Sequence, residues 1–135
     1  HLDWLRHSHI HGGETSATSV FGLMAPQSPD KYRWETWWYY AQGGPGVFKG
    51  DLYFYSKDHD FREETEKLPG DVPIYYMTGV YDFACTPDMT EDTAKKTKNS
   101  ECIIMEEIGH FPMSENPELF NSYLYPVLDK ILAHS

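Results

Sequence analysis

The chain has 135 residues, 40% of them hydrophobic and 16% aromatic, which is enough for a single folded domain and argues against bulk disorder. Its formal net charge of −10 disfavours nucleic acid as a partner, because binding to phosphates requires clustered Lys and Arg. No apolar run approaches the roughly 18 residues needed to cross a bilayer, so we expect no transmembrane helix and no membrane partner.

The first half of the chain predicts a mainly helical segment rich in tryptophan. Residues 28–30 (SPD) are typical of a helix start, with a capping hydroxyl, a proline at the first helical position and an acid at the positive helix end. Four apolar residues then share one helix face at i, i+3, i+4 and i+7, namely Trp34, Trp37, Trp38 and Ala41. Such a face either packs in a core or lines a pocket, and the sequence leaves both interpretations open.

The remainder of the first half is less regular. The sequence GGPG at residues 43–46 predicts the end of the tryptophan-rich helix and a loop. Residues 51–61 suit either a short helix or an extended segment, whereas residues 61–68 are rich in Glu and Lys and predict an exposed helix. The composition changes near residue 70, which divides the chain into residues 1–70 and residues 71–135.

The second half alternates strands and helices. Residues 73–78 (PIYYMT) form a nearly continuous apolar run of the kind buried in a parallel sheet, and residues 101–105 (ECIIM) predict a second strand. A Thr86 cap begins a helix between them that runs to about Lys98. After the second strand, residues 116–118 (NPE) predict the start of a last helix, which Pro126 is expected to kink.

This order of elements predicts an α/β fold with a parallel sheet. Two strands alone make a poor independent fold, because buried strands need further strands and helices on their flanks. The second half is therefore expected to be one edge of a larger sheet.

Two residues follow the predicted strands at positions suited to catalysis. Asp82 lies just past the first strand and His110 just past the second. The carboxyl ends of neighbouring parallel strands meet at the edge where open α/β sheets bind ligands, so we expect the two side chains to lie close together. A carboxylate there accepts the Nδ1 proton of a histidine and leaves Nε2 free as a base.

Residues 72–132 resemble the C-terminal part of the α/β-hydrolase family. The acid loop of that family is a strand followed by Gly-x-x-Asp with a proline a few residues on, and residues 79–87 read GVYDFACTP. Its base loop is Gly-His followed by an apolar residue and Glu-x-Pro, and residues 109–117 read GHFPMSENP. Both motifs occur in the family's order, and residues 1–70 are similar, more loosely, to the cap that precedes the acid strand.

The resemblance implies a fold, a reaction and a site. The fold is the C-terminal part of an α/β-hydrolase sheet, with parallel strands and flanking helices, preceded by a mainly helical cap. The reaction is hydrolysis of a small carboxylic ester, or a related lactone or amide, through an acyl-enzyme and without a cofactor or metal. Asp82 would orient His110, the general base. The predicted substrate-binding residues are aromatic: Trp34, Trp37, Trp38 and Phe111.

The chain departs from the family pattern at the nucleophile, because no Gly-x-Ser-x-Gly elbow occurs in it. The members of a catalytic triad act as a unit, so we expect this chain alone to be nearly inactive. A second chain or a missing N-terminal half would supply the nucleophile. The exposed sheet edge and apolar helix faces are then expected to make the fragment associate, with such a partner or as a homo-oligomer.

Other functions stay open at this point. C–C bond hydrolases and dehalogenases share the architecture, and hydrolase-like receptors keep the pocket without efficient catalysis. His7, His9 and His11 alternate along the chain and, with Glu14, suggest a zinc site, although we favour a polar loop.

The two cysteines, Cys85 and Cys102, are too few for a disulfide framework in a chain of this size. We therefore expect two reduced thiols and a cytoplasmic location.

Overall fold

The computed structural model describes residues 13–133 apart from residues 45 and 62. Helices form most of the first half: α1 spans Gly13–Phe21, α2 spans Asp30–Ala41 and α3 spans Val47–Lys57. The segment with two possible interpretations, residues 51–61, is therefore mostly helical. None of the helices within the described residues combines the length and hydrophobicity that crossing a membrane requires.

The second half forms the predicted strand–helix–strand–helix unit. Its elements are β1 (Ile74–Gly79), α4 (Pro87–Lys96), β2 (Ser100–Met105), the short α5 (Pro112–Glu115) and α6 (Pro117–Ala133). The two strands are parallel, with Ile74 opposite Ser100 and Gly79 opposite Met105. Helix α4 packs against both strands and α6 packs against β2. The predicted α/β fold class and parallel pairing are confirmed.

Local capping explains where α4 and α6 begin. The Thr86 hydroxyl accepts a hydrogen bond from the Met89 N–H at 3.4 Å, and Asn116 Oδ1 accepts one from the Leu119 N–H at 3.3 Å. Pro87 and Pro117 then occupy the first helical positions, where the missing N–H has no cost. Pro126 lies inside α6, as the sequence predicts.

The prediction that the Ser28 hydroxyl caps the N-terminus of α2 is wrong. Pro29 is the N-cap residue and no side chain caps the helix. The Ser28 hydroxyl instead donates a hydrogen bond of 2.7 Å to Oε2 of the buried Glu115. A hydrogen bond to a buried carboxylate is stronger than one to an exposed backbone amide, so the distant contact outcompetes the local one.

The buried face of α2 also differs from the prediction. Trp34 and Trp38 are 57% and 58% exposed, whereas Thr36 is 2% exposed. The more buried face runs through Arg33, Thr36, Trp37 and Tyr40, which is the predicted face displaced by one residue. A plain core role is therefore wrong for Trp34 and Trp38, whereas Trp37 lies on the more buried face.

The exposed helix predicted for residues 61–68 does not form. Among the described residues of this segment, which leave out residue 62, the helical structure is a single 3₁₀ turn, Thr65–Lys67. The segment offers only a narrow apolar face, with Phe61 and Leu68 at its two ends, and short helices need packing to be stable. The following Pro69 also disfavours helical backbone at Leu68, whose ψ of 132° is extended.

Fully buried apolar side chains lie in two regions of the first and second halves. One is α1 with the segment after it, and the other is the end of β2 with the residues that follow: Ala17, Val20, Met24, Ala25, Met105 and Ile108. Val127 of α6 is also buried. A backbone hydrogen bond of 3.0 Å from the His110 N–H to the Leu23 carbonyl joins the two regions. The core therefore lies directly beside the loop that carries the predicted base.

Candidate active site

The acid loop, residues 80–85, follows β1 and lies against the end of β2. The N–H groups of Val80 and Tyr81 donate hydrogen bonds of 3.0 Å to the carbonyls of Met105 and Ile108. Gly79 makes this close approach possible, because a Cβ atom there would collide with the carbonyl oxygens of Ile108 and Gly109. The two loops that follow the strands are thus in backbone contact.

The Asp82 carboxylate is buried, with 7% of the residue exposed, and both of its oxygens are engaged. Oδ1 accepts hydrogen bonds from the N–H groups of Ala84 at 2.9 Å and Cys85 at 2.8 Å. The Thr78 hydroxyl donates to the Cys85 carbonyl at 2.9 Å and holds the end of the loop. Oδ2 is left to face His110, whose Nδ1 lies 2.8 Å away.

His110 is carried by the base loop, residues 106–111, in which Glu107 adopts a left-handed turn with φ of 57°. The imidazole stands perpendicular to the Phe111 ring, with ring centroids 4.8 Å apart. The His110 side chain is 31% exposed, so the imidazole is accessible to a substrate or to another polypeptide. The structure therefore brings together the two residues that the sequence predicts as acid and base.

Each member of the pair stabilises the charged form of the other. The hydrogen bond to Asp82 raises the pKa of His110 more than burial lowers it, and the charges of Asp82 and Glu115 raise it further. Burial of Asp82 disfavours its ionised form. Hydrogen bonds from His110, Cys85 and Ala84, with the charge of His110, outweigh this effect and lower the pKa of Asp82.

This arrangement sets the histidine tautomer. An ionised carboxylate only accepts hydrogen bonds, so Nδ1 of His110 carries the proton that faces Asp82. Nε2 of the neutral ring then has a free lone pair and can accept a proton from a nucleophile. The geometry is that of an oriented general base.

Cys85 and Cys102 are both unpaired thiols, and Cys85 lies beside the acid–base pair. Burial and the negative charge of Asp82 raise the pKa of the Cys85 thiol. An activated cysteine nucleophile needs the opposite shift, because the thiolate is the reactive form. Cys85 is therefore poorly suited to act as a nucleophile.

Within the described part of the chain, one group of possible metal ligands combines three residue types. The ligand atoms of Asp82, Cys85 and His110 all lie within 4.8 Å of one another. Structural zinc sites use four ligands, and here both Asp82 oxygens already accept hydrogen bonds. The alternative zinc site at His7, His9 and His11 lies outside the described residues.

The aromatic side chains predicted to bind substrate occupy two places. Trp34 packs against Phe21, with ring centroids 4.8 Å apart, and against Trp37 at 5.7 Å. Phe111 adjoins His110, and the ring that reaches it from α2 belongs to Tyr40, at 5.4 Å. Sequence reasoning missed Tyr40. The signal was its spacing, four residues after Thr36 and three after Trp37, which places it on their face.

A comparison with solved structures finds similar chains among enzymes. A thermophilic esterase from Thermogutta terrifontis is 16% identical, with a TM-score of 0.81 over 96% of this chain and 48% of its own. An esterase from Exiguobacterium antarcticum is 16% identical, with a TM-score of 0.75 over 94% and 46%. A bromoperoxidase from Bacillus anthracis is 19% identical, with a TM-score of 0.75 over 94% and 48%.

These similarities are structural and not visible in sequence searches: no protein-family model and no curated protein matches the chain. The three solved structures share the α/β-hydrolase fold, which confirms the fold that the acid and base motifs imply. The chain spans about half the length of each of them.

Proposed function

Because the chain has the α/β-hydrolase fold, we propose that it supplies the acid and base of a hydrolase that cleaves a small carboxylic ester or a related acyl substrate. The observation that carries this proposal is the 2.8 Å contact between His110 Nδ1 and Asp82 Oδ2 at the carboxyl ends of neighbouring strands. Two of the similar structures are described as esterases, which agrees with this chemistry.

In the proposed reaction His110 acts twice. Its Nε2 takes the proton of a serine hydroxyl as that oxygen attacks the ester carbonyl, and the imidazolium then returns the proton to the departing alcohol. Water repeats the sequence on the acyl-enzyme and releases the carboxylic acid. Asp82 keeps Nδ1 protonated and stabilises the imidazolium that forms between the two transfers.

The nucleophile has to come from elsewhere, since the sequence contains no Gly-x-Ser-x-Gly elbow. We propose that a second chain, or a preceding half of the same protein, contributes this elbow together with the oxyanion N–H donors. Its sheet would continue from the edge of β1 that β2 leaves free. Phe111 and Tyr40, beside the base, are the aromatic side chains best placed to contact the acyl or alcohol group.

The proposal predicts that turnover depends on the acid–base pair. We expect His110→Ala to reduce kcat/KM for p-nitrophenyl acetate by at least about a thousandfold, because a triad loses most of its rate when any member is removed. Asp82→Asn is expected to cause a loss in the same direction through the wrong histidine tautomer. The assay uses the protein purified with every polypeptide that accompanies it, each identified by intact mass.

The matched control is His59→Ala, which removes an exposed histidine that stacks on Phe54. This variant should retain wild-type turnover. If His110→Ala retains it too, His110 is not the base. If the complete protein shows no turnover on esters but binds them, the chain belongs to a hydrolase-like receptor.

A further inference from the structure

Glu115, the last residue of α5, is a completely buried acid next to the base loop. Burial of a carboxylate is costly unless hydrogen bonds replace its hydration. Glu115 has four of them, and all four partners are donors. No step of the proposed reaction uses this side chain, so its burial requires another explanation.

One carboxylate oxygen holds the backbone on both sides of the base. Oε1 accepts hydrogen bonds from the N–H of Gly109 at 3.1 Å and from the N–H of Phe111 at 3.0 Å. These two amides flank His110 in the sequence. The N–H of His110 itself donates to the Leu23 carbonyl at 3.0 Å. Three consecutive amides of the base loop are therefore fixed by partners outside the loop.

The other oxygen ties this loop to the first half of the chain. Oε2 accepts hydrogen bonds of 2.7 Å from the Ala25 N–H and from the Ser28 hydroxyl. Gly109 allows the approach, because a Cβ atom there would lie 2.8 Å from Oε1 and 2.7 Å from the Ala25 nitrogen. The carboxylate thus joins the base loop to the segment that precedes α2.

We infer that Glu115 is a positioning residue that holds the backbone of His110 so that Nδ1 meets Asp82. The assignment of His110 as the base rests on the proposed function, but the hydrogen bonds of Glu115 do not. A glutamine at this position could not make all four contacts. Its carbonyl oxygen accepts hydrogen bonds, but its amino group only donates them and would face two other donors. The negative charge of Glu115 also favours the protonated imidazole.

The test is Glu115→Gln, read by NMR on isotopically labelled protein in its purified, complete form. Two signals are followed: the downfield Nδ1 proton of His110, assigned by its loss in His110→Ala, and the pKa of His110 from a pH titration. We expect the Nδ1 signal to weaken or disappear. We expect the histidine pKa to fall, because the charge and the fixed geometry are both lost.

Two matched variants separate positioning from stability. Ser28→Ala removes one donor to Oε2 but leaves both contacts of Oε1, so it should lower the Tm without changing either histidine signal. Glu118→Gln changes an acid three residues away that accepts a hydrogen bond from Tyr32 at 2.6 Å. It should also leave His110 unchanged.

A lowered Tm in Glu115→Gln with unchanged histidine signals would make Glu115 a structural residue only and overturn the inference. If this variant does not fold, amide hydrogen exchange of the wild-type protein decides instead. Exchange at Gly109 and Phe111 as slow as inside β2 supports the inference, and rapid exchange at both overturns it. If the turnover experiment fails, His110 has no catalytic role. The NMR signals and the amide exchange still test whether Glu115 positions the base loop.

Discussion

Asp82 and His110 form a pair in which the net pKa shifts have opposite signs, and this determines how the pair contributes to stability. The raised pKa of His110 stabilises the fold fully below the ordinary histidine value of about 6.5, and the effect is lost as pH rises through the folded-state pKa. The lowered pKa of Asp82 stabilises the fold above about 3.9, and this effect is lost as pH falls through its folded-state pKa.

We therefore expect the free energy of unfolding lost in His110→Ala to depend on pH. The loss should be largest between about pH 4 and 6.5, where Asp82 is ionised and His110 is protonated, and smaller at pH 9. Urea denaturation at several pH values measures it. Ser28→Ala is the control, because it removes no ionisable group, and its loss should vary less between pH 5 and 9. A loss in His110→Ala that is constant over this range would contradict the pairing.

The residues of the pair were predictable because their signals are local. A short apolar strand followed by Gly-x-x-Asp and another followed by Gly-His are readable within ten residues each, and parallel pairing then brings them together. Ser28 was mispredicted for the opposite reason. Its hydrogen-bond partner lies 87 residues further along the chain, and no local pattern reports such a partner.

At the scale of elements, the site depends on how closely two strand ends approach. Gly79 at the end of β1 lies directly on the backbone of Ile108 and Gly109, without space for a side chain. The positive-φ conformation that usually requires glycine is absent at this position. Glycine is therefore required at position 79 because no side chain fits there. This close packing holds the acid loop against the base loop.

Gly79→Ala is expected to destabilise the protein by roughly 1–3 kcal/mol or more, because the added methyl group meets backbone atoms that cannot rotate away. Gly50→Ala is the matched control. It lies inside α3 with no atom near the new methyl group, and it should stabilise the helix by about 0.5–1 kcal/mol. Thermal unfolding of Gly79→Ala and Gly50→Ala measures the two changes in stability. If Gly79→Ala changes the free energy of unfolding as little as Gly50→Ala does, the close approach of the two loops is not required for stability.

Element prediction succeeded where a cap or a buried strand defined the boundaries and failed where packing decided. Both strands and the capped helices α4 and α6 lie within about two residues of their predicted bounds. In the described part of residues 61–68, a single 3₁₀ turn that contacts α4 replaces the predicted helix. The face of α2 was predicted one residue out of place, since the aromatic stripe marked hydrophobicity and not the direction of the core.

At the scale of the whole molecule, much apolar surface lies exposed. Two tryptophans of α2 and three consecutive aromatic residues of α3 are each about half exposed or more: Trp34, Trp38, Tyr53, Phe54 and Tyr55. Isolated exposed apolar residues are ordinary, but several large ones on one helix mark a surface that other elements cover. The similar solved structures are about twice as long as this chain, which agrees with such a covering.

We accordingly expect the purified chain to associate, either with a polypeptide that carries the nucleophile or with further copies of itself. Light scattering coupled to size-exclusion chromatography measures the mass, and the 15.7 kDa of one chain is the reference. The double variant Trp34→Lys, Trp38→Lys should weaken the association if α2 takes part. A stable monomer over a wide concentration range would contradict this expectation.

The hydrogen bond between Ala25 and Glu115 joins positions 90 residues apart, which affects the order of folding during synthesis on the ribosome. Residues 25 and 28 leave the ribosome long before the acid that receives their hydrogen bonds. Until residue 115 is free, the base loop lacks the two hydrogen bonds of Oε1, and residues 25 and 28 lack the acceptor that ties them to this loop. Closing so long a loop is slow and comes late in folding. The loop that carries His110 would therefore reach its final geometry only after residue 115 has emerged, and not when the histidine itself is synthesised.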